Sequence, residues 1–180
     1  MPFIRMMAGP VDYTQGAMHN ASRENFRAIH DEPMSQGTRC RQLAEYIVFD
    51  SPLNMLCDSP SSYEREHECT SFIAGIPTVW DHTTVLCGKV SEYIATARQK
   101  GNIWYVGAMT NWEECTIEID LSFLGAGDFK AEIFRDGVNA YRYARDYKKE
   151  LIEIPADRKL KVRMAPGGAV SYTHLTLPTN

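Results

Sequence analysis

Asp12 and Tyr13 stand just past an apolar run, Phe3 to Ala8, and a Gly9-Pro10 breaker. A carboxylate and a phenol at the carboxyl end of a buried strand are placed as substrate-contacting groups are placed in a β/α barrel. The competing reading is a turn in which the Asp side chain bonds its own backbone. Glu64, Glu66, His67 and Glu68 form a second concentration. They could serve a metal or acid/base work, but such a run in a connector is the pattern of a solvated face. His19 and His30 lie in a polar stretch, and the chain has no G-x-S-x-G elbow to pair them with a nucleophile. Trp80, Trp104, Tyr105, Trp112 and the run Tyr141-Arg142-Tyr143 could stack on sugar rings. Aromatic strand residues more often fill cores, which leaves Tyr141 and Tyr143 as the surface candidates if that segment is extended. Gly125-Ala126-Gly127 and Gly167-Gly168 lack the Lys-Ser/Thr of a phosphate cradle.

Composition narrows the classes. The 180 residues carry a net charge of −4, with 44% hydrophobic and 23% charged residues. No surplus of Lys and Arg exists to displace counterions, which argues against a nucleic-acid partner. No apolar run approaches the roughly 20 residues that span a bilayer, and no signal peptide is visible. The five cysteines, at 40, 57, 69, 87 and 115, are widely spaced with no C-x-x-C pair, as free and mostly buried thiols are.

The elements that would position these residues fall into two halves. Residues 3–8 read as a strand and 9–16 as its loop, with almost nothing before them to pair with, so the chain is expected to begin inside a larger protein. Residues 17–37 carry no period and read as a long loop, functional or flexible. Residues 38–49 form the clearest helix, with Cys40, Leu43, Ala44 and Ile47 on one stripe and Arg39, Arg41, Gln42 and Glu45 on the other side. Pro52 stops it. Residues 61–81 read as a connector. From residue 88 the period becomes two: 90–97, 103–109, 116–121, 129–134, 151–154 and 159–164 read as strands of an antiparallel sandwich. The fold class is therefore an α+β fragment: the last strand, loop and helix of a (β/α)8 barrel over 1–60, a connector over 61–81, and a small β-sandwich over 82–169. Residues 170–180 match the in-frame translation of a sequencing-library adapter and are expected to stand outside the fold.

Phe3 to Gly16 resembles a characteristic stretch of glycoside hydrolase family 97. Ser51 to Leu56, Asp58-Ser59-Pro60, Tyr63 to Glu66, Ile76 to Asp81, Trp104 to Trp112 and Ile133 to Ala140 also resemble that family, in order along the chain. The resemblance implies an enzyme with an N-terminal β-supersandwich, a central (β/α)8 barrel and a C-terminal β-sandwich of oligomerisation type. It implies α-glucosidic or α-galactosidic bond cleavage by two carboxyl groups, with calcium held by glutamates. The catalytic carboxylates and calcium ligands would precede Phe3, so no catalytic residue and no metal ligand is assigned within this chain. Asp12 and Tyr13 would be substrate-binding residues on the rim. Ile4, Val11 and Gln15 depart from the family's usual Thr, Met and Pro, and the lost proline leaves the loop less constrained. The implied partners are an α-linked oligosaccharide, the preceding portion of the same polypeptide and a second copy in a homo-oligomer; the implied compartment is the periplasm. The fragment alone should be inert. The alternative is a non-catalytic module for carbohydrate binding or subunit assembly.

Overall fold

A computed structural model describes residues 1–176, with side chains through residue 173. The elements run β1 (Asp12–Tyr13), β2 (Asn20–Ala21), β3 (Ser35–Gln36), α1 (Arg39–Val48), β4 (Leu53–Asn54), α2 (Pro60–Arg65) and α3 (His67–Gly75). Then follow β5 (His82–Lys89), β6 (Tyr93–Lys100), β7 (Ile103–Thr110), β8 (Cys115–Asp120), β9 (Lys130–Asp136), β10 (Tyr147–Glu153), β11 (Lys159–Met164) and β12 (Ala169–Thr176).

Six strands form one antiparallel sheet in the order β10-β9-β12-β7-β6-β5. Its two faces bury different layers. Ala95, Ala97, Val106, Ala108, Ala131, Ile133, Val170 and Tyr172 point to one side, where β8 and β11 close the sandwich with Ile117, Ile119, Val162 and Met164. The alternate residues Tyr105, Met109, Phe134 and Ala169 point to the other side, onto α1 and α3. Because both faces are covered, β7 reads as a continuous apolar run, Ile103 to Met109, whereas β8, with one face outward, alternates cleanly.

Helix α1 starts where Thr38 accepts the Arg41 N–H, an N-cap of the usual chemistry. Its apolar stripe lies on β7 at Gly107, where a Cβ would fall 2.9 Å from Val48 and 3.2 Å from the Ala44 carbonyl. Leu43, Ala44 and Ile47 are fully buried there; a Leu or Ile so buried contributes about 1.5–3 kcal/mol. The Arg41 guanidinium donates to the Thr110 carbonyl at 2.9 Å and ties the helix to the end of β7.

Several expectations are corrected. Residues 3–8 are not a strand: Arg5–Ala8 is a 3-10 turn, with Ile4 and Met7 about four-fifths exposed. Among the described residues nothing lies beside this run for its backbone to pair with, and an unpaired strand is not stable. The parallel pairing lies further on, where Asp12 and Tyr13 of β1 meet Leu53 and Asn54 of β4 across α1. A second parallel pair joins Asn20 and Ala21 of β2 to Ser35 and Gln36 of β3, so the β/α part contributes two pairs of short parallel strands instead of one strand.

The connector 61–81 is largely helical. Ser59 caps α2 with Pro60 in its first turn, and α3 buries Cys69 and Phe72. Phe72 meets Phe134 edge-on at 4.8 Å, so the core runs unbroken across the boundaries expected at 60 and 81. Strand β5, not expected, pairs with β6, and the first hairpin strand begins at Tyr93 instead of Val90.

The segment from residue 170, expected to stand apart, supplies β12 in the middle of the sheet. It pairs with β7 on one side and β9 on the other, and Val170 and Tyr172 are fully buried. Two neighbouring strands present free edges at that position, and a β-propensity segment completes both ladders at once. Residues 177–180 lie outside the described residues.

Candidate functional site

The long loop 14–37 is held by a buried polar network centred on Arg39. The Arg39 side chain is fully buried. Its Nε donates to Asn20 Oδ1 at 2.5 Å, one terminal nitrogen donates to the Met18 carbonyl, and the other donates to Glu66 Oε2 at 3.1 Å. Gln42 accepts from Asn20 at 3.1 Å and donates to the carbonyls of Gly16 and Ala17. The Ser35 hydroxyl donates to the Ala17 carbonyl at 2.6 Å. The polar side of α1, expected to face water, therefore faces this loop, and Arg39, Gln42 and Glu45 are buried by it. A buried guanidinium is tolerated because each of its three nitrogens finds an acceptor.

This anchoring opens a polar cleft of about 440 Å³ between the loop and α2, lined by His19, Asp58, Ser62, Arg65, Glu66 and Arg145 among others. His19 Nδ1 lies 3.2 Å from Glu32. The Asp58 carboxylate accepts the N–H groups of Met18 and Ser59, each at 2.7 Å. Partial burial pushes the Asp58 pKa up, but the backbone donors, Ser62 and Arg65 outweigh it and hold the pKa below the usual carboxylate value. Asp58 is therefore ionised at neutral pH and cannot act as a general acid there. The Glu64–Glu68 run is not a solvated face throughout: Glu66 pairs with Arg39, and Glu68 accepts the Tyr147 hydroxyl at 2.6 Å.

Asp12 and Tyr13 are adjacent in β1, and adjacent strand residues point to opposite faces. Asp12 is exposed. Tyr13 is half-buried, its ring edge-on to Phe49 at 4.9 Å, and burial followed by the Glu45 charge raises its pKa. The two residues are thus neighbours in sequence that face opposite sides of β1. Glu45, not singled out from the sequence, lines a second cleft of about 400 Å³ with Tyr13, Phe26, Arg41 and Trp112. Burial lifts its pKa to about 7, opposed by Arg41, whose Nε lies 3.2 Å away. The i,i+4 spacing of Arg41 and Glu45 was the available sequence signal.

Tyr141 and Tyr143 are exposed as expected, but they lie in a turn rather than a strand, with the Arg145 guanidinium 5.3 Å over the Tyr143 ring. The five cysteines are free; Cys40 and Cys69 are buried and Cys57 is exposed. Among the described residues no group of three or more His, Cys, Asp or Glu could hold a metal ion. No helix among them is long and apolar enough to cross a membrane.

Fold and site together define a β-sandwich module joined through a shared core to a β/α unit, with polar clefts on its surface. Residues 79–173 match the family described as "Glycosyl-hydrolase 97 C-terminal, oligomerisation". The chain belongs to glycoside hydrolase family 97. It is 62% identical over 168 residues to a retaining alpha-galactosidase of Bacteroides thetaiotaomicron, covering 93% of this chain and 25% of that protein. It is 28% identical over 137 residues to a probable retaining alpha-galactosidase of Streptomyces bingchenggensis, covering 76% of this chain and 20% of that protein. Its fold matches a family 97 enzyme from Pseudoalteromonas sp. strain K8, in complex with acarbose, with a TM-score of 0.86 at 33% identity, over 98% of this chain and 28% of that one. The chain spans about a quarter of the length of these relatives.

Proposed function

We propose that this chain is the carboxyl-terminal part of a retaining α-galactosidase, in which it completes the β/α body and carries an assembly module. The observation behind this is the 62% identity, over 93% of the chain, to a protein named for that activity. In this reading the preceding part of the polypeptide supplies the acid/base and nucleophile carboxyls, about 5–5.5 Å apart in a retaining enzyme. In the same reading that part also supplies the glutamates that hold calcium. Asp12 contributes an exposed carboxylate at the carboxyl end of β1, on the rim of the substrate site. Tyr13 supports that strand by packing on Phe49. The enzyme would act on α-linked oligosaccharides in the periplasm.

A second reading, an assembly module without a catalytic part, is favoured by the oligomerisation description of the matched family. The two readings separate in one experiment. The gene product extended to the length of its relatives is assayed on aryl α-galactoside and aryl α-glucoside, with the anomer of the released sugar followed by NMR. Galactoside cleavage with retention is expected, and the 180-residue chain alone should show no turnover. Inversion, a preference for glucoside, or turnover by the short chain would overturn the proposal.

A further inference from the structure

We propose that a groove passing over Trp112 binds oligosaccharides, with Trp112 and Tyr141 as the faces on which successive pyranose rings stack. The proposal rests on the reading of the chain as part of an α-galactosidase only for the choice of sugar.

Trp112 sits in the turn between β7 and β8, and that turn is pinned. Asn111 Oδ1 accepts the Glu113 N–H at 2.8 Å, the Asn111 side-chain amide donates to the Ser91 carbonyl at 2.9 Å, and the Gly167 N–H donates to the Asn111 carbonyl at 2.7 Å. The indole is held as well. Gly167 has φ +67°, and a Cβ there would fall 2.4 Å from Trp112 Cζ3. The benzo ring therefore lies against the bare Cα of Gly167 and could not keep that position beside any other residue. Trp112 nevertheless stays partly exposed. It is a ring fixed before any ligand arrives, so little ordering cost remains for binding.

Two clefts meet at this ring. One, of about 400 Å³, continues over Phe26 to Arg41 and Glu45. The other, of about 770 Å³, continues past Asn25 to Tyr141 and Arg142. Both volumes fall in the range of about 300–1,000 Å³ that small-ligand sites occupy. Tyr141 is 52% exposed. The Asn25 side-chain amide reaches the Arg142 carbonyl at 3.4 Å and joins the two walls. Trp80 and Trp104 are spent differently, against Tyr105 at 5.2 Å and Phe123 at 4.6 Å.

The lining fits a sugar. A pyranose presents an apolar C–H face, which an aromatic ring covers, and a rim of hydroxyls, which planar donor and acceptor groups satisfy. Here Phe26, Trp112 and Tyr141 share the lining of the two clefts with Arg41, Glu45, Asn25 and Arg142. A protein partner would call for a dry apolar centre that this mixed lining does not provide.

The test titrates the 180-residue chain with raffinose and melibiose by protein-observed NMR, beside Trp112→Ala and Tyr141→Ala, each checked for folding by circular dichroism. Saturable binding is expected. The affinity should fall at least about 10-fold in Trp112→Ala, the equivalent of one good ring contact at 1.4 kcal/mol per decade. It should fall several-fold in Tyr141→Ala, whose exposed ring can be removed without disturbing the turn. No saturation with either sugar would overturn the proposal, as would unchanged affinity in both folded variants. Self-association abolished by Trp112→Ala, without any sugar response, would instead identify a protein contact and also overturn it. Hydrolysis by the extended gene product is a separate measurement: its failure would remove the enzyme reading and leave the groove standing, and the reverse pattern would remove only the groove.

Discussion

Arg39→Leu tests whether the loop 14–37 owes its placement to one guanidinium. The substitution leaves three acceptors without donors: the Met18 carbonyl, Asn20 Oδ1 and Glu66 Oε2. The first two are buried in the network, and an unsatisfied buried polar group costs about 1–3 kcal/mol. Glu66 retains 29% side-chain exposure and a distant partner in Arg145 at 4.0 Å, so its share is smaller. Together these give a loss of about 3–5 kcal/mol, the range seen when one member of a buried ion pair is removed. With a urea slope of about 2 kcal/mol per molar, the unfolding midpoint should fall by roughly 2 M. The assay is urea unfolding followed by circular dichroism, run beside limited proteolysis of the loop. Arg39→Lys should recover only part of the loss, because an ammonium cannot span three acceptors set around a planar fork. A midpoint shift below about 0.5 M in Arg39→Leu, with the loop still protected, would refute the reasoning.

Two further outcomes follow from the helix–sheet junction. Gly107→Val places a branched side chain where even a Cβ meets Val48 at 2.9 Å and Ile47 at 3.1 Å, so α1 must lift from β7; a loss of about 1–3 kcal/mol is expected in thermal unfolding. Asp136 accepts the Ala165 and Ala169 N–H groups at 2.9 and 3.0 Å, and its burial raises its pKa to about 6, against opposition from Thr38, those two N–H groups and Cys40. A carboxyl with a folded pKa above its unfolded value of about 3.9 binds its proton more tightly when folded. Its stabilising contribution is therefore greatest below about pH 4 and is lost as pH rises to about 6. Asp136→Asn should flatten the stability profile in that window by on the order of 3 kcal/mol, read from urea midpoints at several pH values. A slope unchanged by the substitution would show that another group governs it.

Much of this architecture was legible in the chain. Thr38 ahead of a Cys40-Leu43-Ala44-Ile47 stripe marked α1 to within a residue, because a cap and a 3.6 period are local facts. Alternation in 116–121 marked β8 for the same reason. The misses share a cause. Phe3 to Ala8 has strand composition, but a strand exists only with a neighbour, and composition does not report one. Residues 61–81 hid two helices because Ser59-Pro60, a strong start signal, stood beside a charged run that looked solvated. The tail from residue 170 was expected outside the fold, yet it pairs with β7 on one side and β9 on the other, partners far away in the chain.

The sequence by itself determined the family, through the stretches that resemble it, and the helix and most of the sandwich strands, through residue type and short-range period. Only the tertiary structure decided which polar residues are buried and what they hold. Arg39, Gln42 and Glu45 lie on the side of α1 that any period assigns to water, and they are buried because a loop with no period of its own folds over them. It also decided that Asp12 and Tyr13 face apart, and that Trp112, beside a glycine 55 residues away in the chain, is a fixed ring between two clefts. Such relations join residues distant in sequence, where local propensity carries no information and packing alone sets the geometry.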